Sequence, residues 1–189
     1  MTRVVRGLLW ARVLPGRPAA IPQGRPRGAK RAGVKFEEAL RDGVLRGAVR
    51  GVWIEFADAN GHGFAQADFV GGDAATPFVA EAKLTWRREA YVQLRGLYLP
   101  LLRAALRAPV GAFVVCANLT RETPRSEVAA SLPEALARAA KGEIPVLHAG
   151  QASMASARRV RPSLPQARER VPKWWRRGGA TAVPPEALF

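Results

Sequence analysis

Residues 52–84 read VWIEFADANGHGFAQADFVGGDAATPFVAEAKL, and this stretch decides the fold. Residues 52–56 carry the β-branched and aromatic content of a strand. Asp58-Ala59-Asn60-Gly61-His62-Gly63 is turn chemistry, and residues 64–70 return as a second strand. Gly71-Gly72-Asp73 turns the chain again, into a third strand over 78–84. Strands joined this tightly pair antiparallel, since a parallel crossover needs a dozen or more residues.

Outward from this meander the periodicity changes. Before it, Phe36, Ala39, Leu40 and Val44 recur at helical spacing, so order is expected from about Val34. Residues 14–33 hold Pro15, Pro18, Pro22 and Pro26 among Gly16, Gly24, Gly28 and Gly33, too dense a set of breakers for a helix or a central strand. After it, residues 87–107 place Tyr91, Leu94, Tyr98, Leu101, Leu102 and Ala105 on one helical face. Pro100 lies inside that helix and removes the bond back to the carbonyl of Gly96, so a bend or interruption is expected there. Residues 110–117 form a nearly continuous apolar run, the mark of a strand covered on both faces. A short helix over 132–141, opening at Ser131-Leu132-Pro133, and an edge strand over 144–148 complete the pattern. The expected fold is α/β, a mixed sheet in the order αβββαβ between helical layers. It divides the chain into an arm (residues 1–33), a core domain (34–150) and a tail (151–189).

Charge follows the same division. The chain has 30 Lys and Arg against 15 Asp and Glu. Residues 1–35 carry nine basic groups and no acid, and residues 158–177 carry eight basic groups and one acid, whereas residues 36–157 balance at 13 of each sign. Basic flanks around a neutral body suit a polyanion, because every phosphate neutralised releases condensed counterions. DNA is the expected partner, with RNA as the alternative. A single cysteine, Cys116, excludes a disulfide framework and a cysteine-rich zinc site, and no run of 18 apolar residues suggests a membrane span. The start of the chain lacks the apolar core of a secretory signal, which points to the cytoplasm.

Chemistry concentrates in the second and third strands. Asp68 lies in Gln66-Ala67-Asp68-Phe69-Val70, and Glu81 and Lys83 in Val79-Ala80-Glu81-Ala82-Lys83-Leu84. Strand side chains alternate faces, so Glu81 and Lys83 project to one side and Ala82 to the other. Charges within otherwise apolar strands need a partner or a metal, and two carboxylates on neighbouring strands offer the hard oxygen donors that Mg²⁺ takes. The adjacent ammonium can orient a water or balance charge growing on a phosphate. In the plainer alternative, Glu81 and Lys83 form a same-face ion pair on a half-exposed strand.

These residues, in this element order, resemble the PD-(D/E)xK nuclease superfamily over roughly residues 33–117. Asp68 matches the motif aspartate, Glu81 the second acid and Lys83 the lysine; Ala67 stands where the motif's name has proline. Gly33-Val34-Lys35-Phe36-Glu37 is similar to the start of the family's first helix, which makes Glu37 the helix carboxylate and Glu38 its solvent-facing neighbour. Gln93-Leu94-Arg95-Gly96-Leu97-Tyr98 is similar to the glutamine-and-tyrosine element of exonuclease-like branches, with a gap one residue longer. The resemblance implies a restriction-endonuclease-like core and a Mg²⁺-dependent nuclease, with Mn²⁺ as the alternative ion. It would trim DNA ends or process branched DNA. Asp68, Glu81 and the Ala82 carbonyl would hold the metal, Glu37 would add an outer ligand, and Gln93 would help order water. A homodimer would suit junction cleavage.

Further contacts to nucleic acid are expected from Lys35, Arg87, Arg88 and Tyr98. Lys173-Trp174-Trp175-Arg176-Arg177 adds indoles among cations, a combination that stacks on unpaired bases. Trp53 and Trp86 are read as packing the sheet, Cys116 as a small core hydrophobe, and His62 and His148 as non-catalytic. The final Glu186-Ala187-Leu188-Phe189 faintly resembles peptides that dock on bacterial sliding clamps. The rival to the enzyme is a non-catalytic DNA- or RNA-binding or structural protein in which these acids serve only the fold.

Overall fold

The computed structural model describes residues 3–22, 24 and 28–150. Its strands are β1 (Trp10–Val13), β2 (Val49–Asp58), β3 (Gly61–Gly71), β4 (Phe78–Thr85), β5 (Gly111–Asn118), β6 (Val128–Ala129) and β7 (Val146–His148). They form one mixed sheet in the order β1-β2-β3-β4-β5-β7-β6, antiparallel from β1 to β4 and parallel from β4 onward. The helices are α1 (Ala29–Asp42), α2 (Glu89–Gln93), which runs on through a π-helical turn (Leu94–Tyr98) into α3 (Leu99–Leu106), and α4 (Leu132–Ala140). Among the described residues this is an α/β fold with a seven-stranded mixed sheet and three helical rods.

Each sheet face has its own core. Val52, Ile54, Phe56, Ala67, Val79 and Val114 pack beneath α2 and α3 through Ala90, Leu94, Leu101 and Leu102. Phe69, Ala80, Phe113 and Val115 pack on the other side against Leu40 of α1 and Ala135 of α4. Residues 112–116 of β5 are all at most 1% exposed, as a strand covered on both faces requires. The α4 start is set by Ser131, whose hydroxyl accepts from the Glu134 N–H at 3.3 Å, and by Pro133 in the first turn.

Several expectations are corrected. Order does not wait for Val34: β1 pairs with β2, Arg12 bridges to Glu55 at 2.5 Å, and Arg3 reaches Asp58 at 2.7 Å. The first part of the basic arm is therefore an edge strand whose cations are partly spent on acids of the sheet. A four-residue edge strand has too few positions to declare a period, which is why composition suggested a free arm. Likewise α1 begins at Ala29, directly after Gly28, and takes in Gly33. The β7 strand is not an edge, because the two-residue β6 pairs with its outer side. As expected, the α-helix is interrupted just ahead of Pro100, but the rod runs on past the proline. The π turn absorbs it, with the Leu99 N–H reaching five residues back to Leu94. The Gly96 carbonyl that Pro100 leaves without a helical donor accepts from the Val5 N–H at 2.8 Å. A Cβ at Gly96 would lie 3.2 Å from Val4, so glycine permits that approach. No helix among the described residues is long and apolar enough to cross a membrane.

Candidate active site

The site begins as a fault in the sheet. The β3–β4 ladder holds only at Phe69↔Ala80, Val70↔Val79 and Gly71↔Phe78, while β4 stays paired with β5 from Phe78 to Thr85. Beyond Phe69 the two strands part, and the carboxylate of Asp68 fills the fork, its Oδ2 accepting from the Ala82 N–H at 2.8 Å. A second irregularity makes this possible. The β2–β3 pairs run Arg50↔Phe69 and then Val52↔Ala67, stepping over Gly51 and Asp68. Gly51 has φ +66°, a left-handed conformation that glycine adopts without steric cost. Alternation reverses across the step: Ala65 and Ala67 join the core under α2–α3, whereas Phe69 joins the opposite core.

Glu81 is 2% exposed. Its Oε1 meets Lys83 Nζ at 2.5 Å, so the two do share a face, while its Oε2 is buried without a hydrogen-bond partner among the described residues. Burial, then the neighbouring Asp68 charge, pushes the Glu81 carboxyl up to about 7 against the opposing pull of Lys83. Asp68 is raised by burial as well, against the Ala82 N–H and Lys83. Glu37 approaches from α1 and is raised by burial and then by Asp68, with Arg50 and Lys83 opposing. Its side chain is 26% exposed against 47% for Glu38, so Glu37 is the inward member of that pair, and Arg50 stands 3.9 Å from it.

Three acids and one lysine thus feel one another's charge, but not equally. Glu37 acts on Glu81 more weakly than Asp68 does. Among the described residues no three His, Cys, Asp or Glu side chains are gathered as a metal-holding group. The centre is a pair, Asp68 and Glu81, with Lys83 on it and Glu37 outside. Its donors are hard carboxylate oxygens, and the unpartnered Glu81 Oε2 is an acceptor that a Mg²⁺ or Mn²⁺ ion would satisfy.

The other expected site residues divide. Lys35, Arg87 and Arg88 are exposed and accessible to a polyanion. Ala82, expected to offer its carbonyl, is engaged here through its N–H. Gln93 closes α2 and is half-buried. Tyr98 is corrected: it is 6% exposed, its hydroxyl donates to the Gln66 carbonyl at 2.8 Å, and its ring belongs to the core, out of reach of a nucleic acid. Lys173, Trp174, Trp175, Arg176 and Arg177, and Glu186 to Phe189, lie outside the described residues. Missed by sequence reasoning were Gly51, whose one signal is a glycine inside a strand, and Arg50, which carries no local signal.

Comparison with family models, with curated proteins and with solved structures finds no match to this chain.

Proposed function

We propose that this chain is a Mg²⁺- or Mn²⁺-dependent nuclease that hydrolyses DNA phosphodiester bonds by way of Asp68, Glu81 and Lys83. One observation carries the reading: an almost fully buried glutamate keeps one carboxylate oxygen unpartnered among the described residues, beside the half-buried carboxylate of Asp68. A purely structural acid in that position would be expected to have its acceptors filled. The element order helix, three antiparallel strands, helix, parallel strand further supports the restriction-endonuclease-like core implied by the resemblance.

Asp68 and Glu81 would hold the ion, with the Ala82 carbonyl and Glu37 as further oxygen donors. When bound, such an ion lowers the pKa of a water and offsets charge on the phosphate. The chain's own contribution is positional. The Ala82 N–H locks the Asp68 carboxylate, and the β4–β5 pairing holds Glu81 and Lys83 in register beside it. Lys83, 27% exposed, is the group of the cluster that can donate to a phosphate oxygen or fix an attacking water. Because Glu81 must be ionised to bind a cation, metal affinity should rise as pH passes upward through about 7. Lys35, Arg87 and Arg88 would grip phosphates, so binding should weaken with salt.

The Glu81–Lys83 ion pair favours the rival, a DNA- or RNA-binding protein without catalysis, since it balances one of the buried charges internally. Incubating single-stranded, duplex and branched labelled DNA with and without Mg²⁺ or Mn²⁺ separates the two. The nuclease reading expects metal-dependent products, lost roughly 10²–10³-fold or more in Asp68→Ala and Lys83→Ala while binding persists. Full cleavage by Asp68→Ala would refute the assignment, and binding without cleavage under either metal would establish the rival.

A further inference from the structure

A second recess lies on the sheet face that carries Glu81 and Lys83. Val79 and Val114 belong to the core under α2–α3, and Cys116 continues that face to a small cluster with Trp86 and Val146, where Tyr91 packs against both. There, past the carboxyl ends of β4 and β5, opens a cleft of about 360 Å³. Crevices at the carboxyl ends of parallel strands are recurrent ligand sites in α/β sheets. Arg88, Tyr91 and Arg95 line it from the helical rod, Trp86 from the end of β4, and Glu122 and Glu127 from the connection after β5.

The aromatic ring in this cleft is fixed before any ligand arrives. The Tyr91 hydroxyl donates to Glu127, and Trp86 meets the ring edge-on, centroids 6.2 Å apart at 65°. The Trp86 indole N–H is buried without a hydrogen-bond partner among the described residues. Arg88 and Arg95 are exposed, and among the described residues neither has a carboxylate within ion-pair distance. A clamped half-buried ring, two guanidiniums without a carboxylate partner among the described residues and an exposed acceptor at Glu122 match the parts of a nucleotide. A base stacks on the ring, its phosphate meets the guanidiniums, and an exocyclic amino group can donate to the carboxylate. A base inside a duplex presents neither its ring face nor its pairing edge.

We propose that this cleft receives one unpaired nucleotide of the DNA strand, base on Tyr91 and phosphate at Arg88 and Arg95, so that the substrate is single-stranded beside the bond to be cut. The position of that bond rests on the nuclease reading above; the binding does not. Trp86 follows Lys83 by three residues, about 10 Å of extended chain, so a strand with one phosphate at Lys83 brings a nearby nucleotide to the cleft.

The test is metal-free fluorescence anisotropy with labelled single-stranded and duplex DNA of equal length at one salt concentration. Arg88→Ala/Arg95→Ala should weaken single-strand binding roughly tenfold more than duplex binding. A control pair of exposed cations elsewhere, Arg31→Ala/Arg46→Ala, should lower both alike. In the parent protein, replacing the bases by abasic sites should weaken binding to a similar degree, a readout that needs no variant to fold. Equal losses for both DNA forms, or indifference to abasic sites, would overturn the proposal. If the protein cuts DNA yet binds both forms alike, the cleft fails and the nuclease survives. If strand preference and its loss appear without cleavage under Mg²⁺ or Mn²⁺, the cleft stands and the nuclease falls.

Discussion

The turn between β2 and β3 and the fork between β3 and β4 each bury a carboxylate to 2% exposure, Asp58 in the first and Glu81 in the second. Their surroundings differ. Asp58 accepts from Arg3 at 2.7 Å, from the Asn60 N–H at 2.9 Å, and more loosely from the Arg6 N–H and the Asn60 amide. Burial alone would raise its pKa, but these donors together hold it below the usual aspartate value. Glu81 has Lys83 on one oxygen, no donor among the described residues on the other and a second acid close by, and its carboxyl rises to about 7. The contrast teaches that burial alone does not decide the state of an acid; the donors and charges aimed at it decide with it. At the turn the donors saturate the group and tie the N-terminal segment to the sheet. At the fork one oxygen of a buried acid has no donor among the described residues.

The pH dependence of stability should separate the two corners. Glu81 has a folded pKa raised from 4.5 to about 7, so the native state binds its proton more tightly than the unfolded chain, and stability falls as pH climbs between those values. Glu81→Gln should match the parent near pH 4.5 and exceed it at neutral pH by on the order of 3 kcal/mol, read from denaturant midpoints across pH. A parallel pair of curves would show that the Glu81 carboxyl is not raised on folding. The opposite sign is expected at the turn. Asp58, depressed, contributes stability that is present above the ordinary aspartate value and disappears as pH falls through its folded pKa. Asp58→Ala should destabilise at neutral pH by about 1–3 kcal/mol, because the donors gathered on this buried carboxylate lose their acceptor, and urea melts would report it.

The smallest effect is expected at Gly51. Alanine there must hold φ +66° and sets a Cβ 2.9 Å from the Gln66 side-chain nitrogen, whose flexible end can move. The loss should be about 1–2 kcal/mol, from the left-handed backbone alone. Should the step between Arg50 and Val52 position Asp68 as described, cleavage would drop further than stability explains. Unchanged turnover per folded molecule in Gly51→Ala would detach the β2 irregularity from the site.

Legibility followed locality. Glu81 and Lys83 on one face could be read from two-residue spacing, and the geometry agrees, at 2.5 Å. The α4 cap at Ser131 was equally plain, because its partners lie within a few positions. Asp68 could be named from its letters but not oriented, since its direction depends on Gly51 across the hairpin and on Ala82 in the next strand. Tyr98 looked available until the helical rod turned it inward onto the Gln66 carbonyl. The N-terminal strand escaped notice for a related reason: its order comes from β2 and from Gly96, not from its own four residues.

By itself the sequence determined the α/β class, the antiparallel meander, the buried β5 and the charged residues of the meander, because side-chain period, turn chemistry and charge are properties of neighbours along the chain. Only the tertiary structure decided that β3 and β4 part at Asp68, that Glu81 loses water without gaining a full set of donors, and that a cleft opens beside Tyr91. Each of these is set by elements far apart in sequence, where burial and electrostatics are sums over everything packed nearby.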